Sequence, residues 1–162
     1  MTRNFDDVLQ GSEGGADLSW LSDAGGTFYH DIQLGENTSH IHFTITQGTG
    51  INDTYQFLGS SYQQRSDGSL VVNADAHDVN TANTRFRSVV GIAVDDVAGY
   101  VNGSSTFTDT SAALPIYADL STMRLASQTG TNLINGLIKE IRYYDSRLTD
   151  AQLEDMSNGT FP

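Results

Sequence analysis

Cysteine is absent from this sequence, and its absence removes three kinds of chemistry at once. Without thiols the chain has no disulfides, no thiolate zinc site and no cysteine nucleophile. The absence leaves the compartment open, because a chain without cysteine is compatible with reducing and oxidising surroundings alike.

Basic residues are also few. Eight Lys and Arg stand against twenty Asp and Glu, which gives a formal net charge of -12 at pH 7. Nucleic-acid binding needs clustered cations that displace the counterions of phosphate, so this balance argues against a nucleic-acid partner. It disfavours an anionic membrane surface as well. We interpret the acidity as a source of solubility or as a fit to a saline habitat.

No apolar run approaches the length of a membrane span, which predicts no membrane insertion. Proline is scarce and residues that favour helices are few, whereas Gly, Ser, Thr, Asn and Asp are abundant. That composition is typical of many short strands joined by tight turns. The length fits one domain, which we place at residues 18–162. Residues 1–17 have few apolar anchors and predict an arm that is flexible or ordered by a partner subunit.

Alternating residues predict the strands and their inward faces. Phe28, His30 and Ile32 share one face of a strand, and His40, His42 and Thr44 form the polar outer face of the next. Hairpin turns are predicted at 66–69, at 95–96 and at 102–103. The predicted core comprises Trp20, Phe28, Ile32, Ile41, Phe43, Ile45, Phe86, Val90, Ile92, Val94, Val101, Leu125, Ile138, Ile141 and Tyr143.

The C-terminal segment predicts a strand followed by a short helix. Ile138 and Ile141 are an odd number of residues apart, so both face the core only if a bulge falls near positions 139–140. Thr149 and Gln152 form a capping box for a helix that stops at Gly159. We expect this helix to act as a latch on the edge of the sandwich.

Three segments together resemble the laminin G-like and concanavalin-like lectin jelly rolls, in the variants found in tailed-phage virion proteins. The closing segment G-x-I-K-E-I-R-Y-Y-D-S-R-L-T-D-A-Q-L begins at Gly136, and an A-x-x-V-N-G passage at 98–103 leads to D-T-S-x-x-L-P at 109–115. Ser19, Trp20, Gly26, Thr27 and Tyr29 match an early segment of these domains. The resemblance implies an all-β fold, a two-sheet antiparallel jelly-roll sandwich with one short C-terminal helix.

The same resemblance implies a non-enzymatic module on a virion surface that binds glycans or other host or environmental surfaces. Its main rival is a decoration, or cement, protein that stabilises neighbouring capsid or tail subunits, and a polysaccharide-degrading enzyme is the third reading. The expected partners are a surface glycan, other virion proteins and further copies of the chain in a homo-oligomer. Residues 1–7 contain no apolar export segment, so we expect either a missing leader or release in a particle by lysis.

Sugar sites combine an aromatic platform with side chains that hydrogen-bond hydroxyls. Tyr55 shares a strand face with Phe57, which leaves it open whether Tyr55 is platform or core, and the charges of Arg85 and Arg87 favour a solvated strand face over a site. The predicted ligand-binding residues are Tyr55, Tyr62, Arg65, Asp78, Asn80 and Arg85.

Catalytic and metal signatures are weak. The four glutamates do not form the paired pattern of retaining glucanases, and no G-x-S-x-G motif is present, so we predict no enzyme. His40 and His42 share a predicted strand face but lack an identified third ligand, so no metal site is assigned. No cofactor is expected, although calcium stays open as an alternative. Its candidate ligands are Asp75, Asp78, Asp95, Asp96 and Asp109.

Overall fold

The computed structural model describes residues 3–4, 18–35, 41–47, 52–58, 61–74, 82–125 and 136–161. Within these ranges, two antiparallel β-sheets pack face to face and one α-helix lies near the C-terminus. The predicted all-β, two-sheet sandwich with a short C-terminal helix is therefore confirmed. No helix in the described ranges is both long and apolar enough to cross a membrane.

In the described part of the chain, sheet A has six strands and sheet B has five. In spatial order, sheet A consists of β1 (Arg3–Asn4), β11 (Gly136–Tyr144), β2 (Gly26–Leu34), β7 (Arg85–Ala93), β8 (Asp96–Val101) and β9 (Ser104–Asp109). Sheet B consists of β10 (Thr122–Leu125), β3 (Ile41–Thr46), β4 (Thr54–Leu58), β5 (Tyr62–Ser66) and β6 (Ser69–Ala74). A 3-10 turn spans Tyr117–Asp119, and the helix α1 spans Asp150–Asn158.

The core lies between the sheets and is rich in aromatic rings. The ring of Phe28 on β2 has its centroid 4.9 Å from that of Tyr143 and 5.3 Å from that of Phe57 across the sandwich. Most of the predicted core residues are buried here, while Trp20, Leu125 and Ile138 are partly buried against the same cluster. The side chain of Ile41 is outside the described set.

The two predicted glycine hairpins are present. Asp67 and Gly68 join β5 to β6 with φ of 47° and 77°, and Asn102 and Gly103 join β8 to β9 with φ of 48° and 80°. Asp, Asn and Gly tolerate this left-handed backbone better than other residues, which is why such pairs predict two-residue hairpins.

The turn between β7 and β8 begins one residue earlier than predicted. Ala93 pairs with Asp96, so the turn residues are Val94 and Asp95, and Asp95 takes a φ of 55°. Val94 is consequently 61% exposed, and its assignment to the core was wrong. The inward alternation of Val90 and Ile92 stops at the end of the strand, before it reaches Val94.

The bulge predicted in β11 is confirmed. Ile138 pairs with Ile32 and Glu140 pairs with Asp31, so Lys139 is the extra residue. Its insertion lets both Ile138 and Ile141 pack into the core. Arg3 and Asn4 of β1 pair with Tyr143 and Arg142 on the other edge of this strand. For the rest of residues 1–17, which lie outside the described ranges, the arm stays a prediction.

A second bulge, in β3, was not predicted. Ile41 pairs with Leu58 and Phe43 with Phe57, which leaves His42 as the extra residue. A bulge turns two successive side chains towards the same side. His42 therefore points into the core, where its Nδ1 lies 3.2 Å from Nε2 of His30. Its placement on the polar outer face was wrong, and His40 lies outside the described ranges.

The helix α1 has the predicted ends. The Thr149 side chain accepts a hydrogen bond from the backbone N–H of Gln152, and the Gln152 side chain accepts one from the backbone N–H of Thr149. Gly159 ends the helix with a φ of 81°. The predicted position on the sandwich edge was wrong, because α1 lies on the outer face of sheet A. Leu153 and Met156 pack there against Tyr29, Val89, Ala98 and Tyr100.

Candidate functional site

The outer face of sheet B carries two polar rows that run across all five strands. The strand register aligns Arg124, Thr44, Gln56, Gln63 and Asn73 in one row. It aligns Thr122, Thr46, Thr54, Arg65 and Leu70 in the next. We call these ten residues the polar face. Their sequence neighbours alternate to the opposite side of the sheet and form the core, which is why the face is fixed in position.

The polar face has a recessed floor and a more accessible rim. Thr44, Thr46, Thr54 and Gln56 on the two strands at its centre are 0%, 1%, 1% and 6% exposed. Arg124, Gln63 and Arg65 are half-buried around them, and Asn73 is exposed. Other atoms of the protein therefore cover the four central residues, and the part of the polar face that a ligand can reach directly is its rim.

Several groups of the polar face are held by hydrogen bonds. Gln63 Nε2 donates to Asn73 Oδ1 at 3.2 Å, and Arg124 donates from a terminal nitrogen to Thr46 Oγ1 at 3.4 Å. The hydroxyl of Thr54 donates to the Ile45 carbonyl at 3.0 Å. Side chains that are fixed before binding lose less conformational entropy when a ligand arrives.

The hydroxyl of Thr44 has no hydrogen-bond partner although it is buried. Leaving such a group unpaired costs about 1–3 kcal/mol. Thr44 lies between Arg124 and Gln56 in its row, so a donor or acceptor that reached this point would remove that cost. The arrangement provides hydroxyl, amide and guanidinium groups in one continuous surface.

Of the predicted ligand-binding residues that the structure describes, only Arg65 lies on the polar face. Tyr55 and Tyr62 are both fully buried in the core, so neither ring is an accessible platform, and of the two alternatives left open for Tyr55 the structure favours the core. Tyr62 donates to Gln64 Oε1 at 2.7 Å, and the hydroxyl of Tyr55 lies 2.5 Å from that of Tyr117. Burial raises the pKa of Tyr55 and of Tyr62 well above the ordinary value for tyrosine.

Arg85 lies on the opposite sheet, away from Arg65. Its Nε donates to Asp31 Oδ1 at 2.7 Å, and Nε of Arg87 lies 3.8 Å from Asp31 Oδ2. Asp31 is buried, so the two guanidiniums neutralise a carboxylate that the sheet removes from water. Asp78 and Asn80, the remaining predicted ligand-binding residues, lie outside the described ranges.

The aspartates considered for calcium have other roles where they are described. Asp96 accepts from Arg147 at 2.8 Å, and Asp109 accepts from the backbone amide of Ser111 at 2.8 Å. No group of three or more His, Cys, Asp or Glu residues suitable for a metal occurs within the described ranges. Asp75 and Asp78 are outside them.

The polar-face residues other than Arg65 were not singled out from the sequence. A signal was available in the strand alternation, which places Thr44 and Gln56 opposite the core positions of their strands. Recognising a site also requires knowing that β10 pairs with β3, which brings Arg124 beside Thr44. That pairing joins segments far apart in the sequence.

No protein-family model matches this sequence, and no curated protein matches it. Solved structures do resemble its fold. Domain 4 of AbnA, a GH43 extracellular arabinanase from Geobacillus stearothermophilus, in complex with arabinotriose, matches with a TM-score of 0.73 at 15% identity, over 85% of this chain and 68% of that one. The CBM40 of Ruminococcus gnavus IT-sialidase, bound to α2,3 sialyllactose, matches with a TM-score of 0.69 at 17% identity, over 97% of both chains.

A longer protein also contains the fold. The NanB sialidase from Streptococcus pneumoniae matches with a TM-score of 0.70 at 16% identity over 95% of this chain, which spans 26% of that structure. At these identities the likeness concerns the fold alone. The chain has the two-sheet β-sandwich fold that these structures share.

Proposed function

We propose that this domain binds a glycan on the polar face of sheet B, without catalysing a reaction on it. The observation that carries the proposal is the unbroken polar row from Arg124 to Asn73, whose central members Thr44 and Gln56 are recessed below the rim. A polar surface whose side chains are fixed suits a ligand that presents many hydroxyls.

The chemistry of the row matches that of a sugar. The Gln and Asn amides each offer a donor and an acceptor, and sugar hydroxyls can act as either. The arginines add donors in a planar fork, which can bridge two neighbouring oxygens. Structures of similar fold are described as complexes with arabinotriose and with sialyllactose, which supports glycans as the ligand class.

The setting we propose is the surface of a tailed-phage particle, where homo-oligomers would display several polar faces to a host or environmental surface. This part rests on the resemblance of the sequence to virion jelly rolls. Electron microscopy of particles labelled with an antibody against this chain tests it. Labelling at an exposed surface supports the proposal, whereas labelling of cell fractions without particles contradicts it.

The binding proposal is tested by glycan-array screening followed by calorimetry with the strongest ligand. Gln63→Ala removes a rim amide from the polar face, and we expect it to weaken binding about five- to tenfold, the value of one or two hydrogen bonds. Gln33→Ala is the matched control, because Gln33 is a half-buried glutamine on the outer face of sheet A.

The control variant should bind as the unmodified protein does. Equal losses in the two variants would place the ligand elsewhere or indicate a general effect on the fold. An array on which the assembled protein binds nothing would contradict the proposal outright, and binding to isolated capsid or tail subunits in its place would favour the decoration role.

A further inference from the structure

We infer that the polar face selects acidic glycans, with Arg65 and Arg124 as the groups that pair with a sugar carboxylate or sulfate ester. This inference rests on the proposed function, because it assigns the ligand class of the same face. It follows from where the chain places its few cations and from how those cations are paired.

The polar face reverses the charge balance of the chain. Acidic residues outnumber basic ones by twenty to eight overall. Yet the two rows include two arginines and no Asp or Glu. Arg65 on β5 and Arg124 on β10 are three strand spacings and one row apart, about 16 Å. The recessed floor between them consists of neutral Thr and Gln residues.

Four arginines outside sheet B have a carboxylate beside them. Arg85 and Arg87 contact Asp31, Arg142 contacts Glu140, and Arg147 contacts Asp96 and Asp150. These ion pairs offset part of the positive charge on sheet A, where Arg85 and Arg87 share the carboxylate of Asp31. A paired arginine attracts an acidic ligand less than an arginine without such a partner does.

Arg65 differs from these arginines, because it forms no ion pair with any residue that the structure describes. It is half-buried and pairs with Thr54 of the neighbouring strand. An anionic oxygen is the partner that gains most from such a donor, because a guanidinium and a carboxylate or sulfate can form two parallel hydrogen bonds. Arg124 supplies a second cation on the opposite side of the floor, held in place by Thr46.

The net negative charge of the chain affects where on its surface an anionic glycan can bind. Elsewhere the acidic surface repels an anionic glycan, but screening limits this repulsion to about 8 Å at physiological ionic strength. A ligand on the polar face therefore responds mainly to charges close to it, among them Arg65 and Arg124 of the two rows. The expected result is binding of acidic sugars at this face and rejection of them by the rest of the surface.

The test compares matched neutral and acidic probes by calorimetry on the full chain. The pairs are galactotriose with trigalacturonate, and lactose with 3′-sulfolactose and 3′-sialyllactose. We expect at least one acidic probe to bind tenfold or more tightly than its neutral counterpart. Arg65→Gln and Arg124→Gln should each reduce that preference at least threefold, and Arg65→Lys should retain part of it.

Arg85→Gln is the matched control, because Arg85 is a strand arginine on the outer face of the other sheet. It should leave the acidic preference unchanged. A preference that survives both polar-face variants, or that disappears only in Arg85→Gln, would overturn the inference.

The two proposals can fail separately. Equal binding of neutral and acidic probes, with a loss in Gln63→Ala, would overturn acid selection while supporting glycan binding at the face. If no probe and no array glycan binds, both proposals are overturned. Circular dichroism of every variant shows whether a loss of affinity reflects unfolding. If Arg65→Gln does not fold, Arg65→Lys, which retains the charge, still measures the contribution of the guanidinium to the acidic preference.

Discussion

Replacing Thr44 by Val exchanges a hydroxyl for a methyl group of nearly the same shape at the centre of the polar face. The Thr44 side chain is fully buried, and its hydroxyl has no hydrogen-bond partner. Its row neighbours are Arg124 and Gln56. The substitution should therefore stabilise the free protein and weaken its complex with a glycan.

The magnitude follows from the unpaired hydroxyl. A buried polar group without a partner destabilises the folded protein by about 1–3 kcal/mol, and its removal recovers that amount. The methyl group that replaces it stabilises the folded protein by about 0.8 kcal/mol when it is buried. Relaxation around the hydroxyl reduces the gain, so we expect Thr44→Val to raise the free energy of unfolding by about 1 kcal/mol. In a domain of this size that raises the melting temperature by about 2–4 °C. A ligand reaches the Thr44 hydroxyl only where the groups that cover it move aside, and the loss of that one hydrogen bond should then weaken glycan binding about fivefold.

Urea unfolding measures the first effect, and calorimetry with the strongest array glycan measures the second. Thr54→Val is the matched control, since Thr54 lies on the same face with similar burial but donates to the Ile45 carbonyl at 3.0 Å. It should destabilise the protein by about 1 kcal/mol, because it removes a satisfied hydrogen bond. If Thr44→Val also destabilises the protein by that amount, the hydroxyl is bonded in solution and the reasoning fails. If glycan affinity is unchanged while Gln63→Ala lowers it, Thr44 does not contact the ligand.

Two further predictions concern stability. Burial raises the pKa of Tyr143 to about 12, and it raises those of Tyr55 and Tyr62 well above the ordinary value. Because the unfolded side chains ionise near pH 10, the stability these tyrosines contribute is complete below about pH 10 and is lost as the pH rises towards about 12. Absorbance at 295 nm should therefore change together with circular dichroism, and ionisation of these residues near pH 10 in a folded protein would contradict this. Thr149→Ala should cost about 1 kcal/mol by removing the helix cap, with the exposed Thr110→Ala as a near-neutral control; equal urea midpoints for the two variants would contradict it.

Local backbone chemistry made the turns and the helix ends predictable from the sequence. Asp67–Gly68 and Asn102–Gly103 require left-handed backbone that few other residue pairs adopt. The capping box at Thr149 likewise depends on residues only three positions apart. The bulge in β11 was predictable for a related reason, because two apolar residues at odd spacing can face one core only if a residue is inserted between them.

The errors arose where the decisive interaction was not local. Nothing near His42 marks a bulge, which depends on how β3 aligns with β4. The aromatic residues Tyr55 and Tyr62 suit both a core and a sugar platform, and only the packing of sheet A over them decides between the two. The polar face depends in the same way on the pairing of β10 with β3, which a single sequence does not specify.

The polar face and the core use alternate residues of the same strands, and this couples binding to packing. Thr44 lies between Phe43 and Ile45, and the Phe43 ring stacks on Phe57 with centroids 4.0 Å apart. A change in that stack alters the path of β3 and so moves Thr44 relative to Gln56. Core substitutions should therefore weaken both stability and glycan binding, whereas changes at the rim, such as those at Gln63 or Arg65, should affect binding alone. A loss of binding at constant stability is accordingly the result that identifies a residue in contact with the ligand.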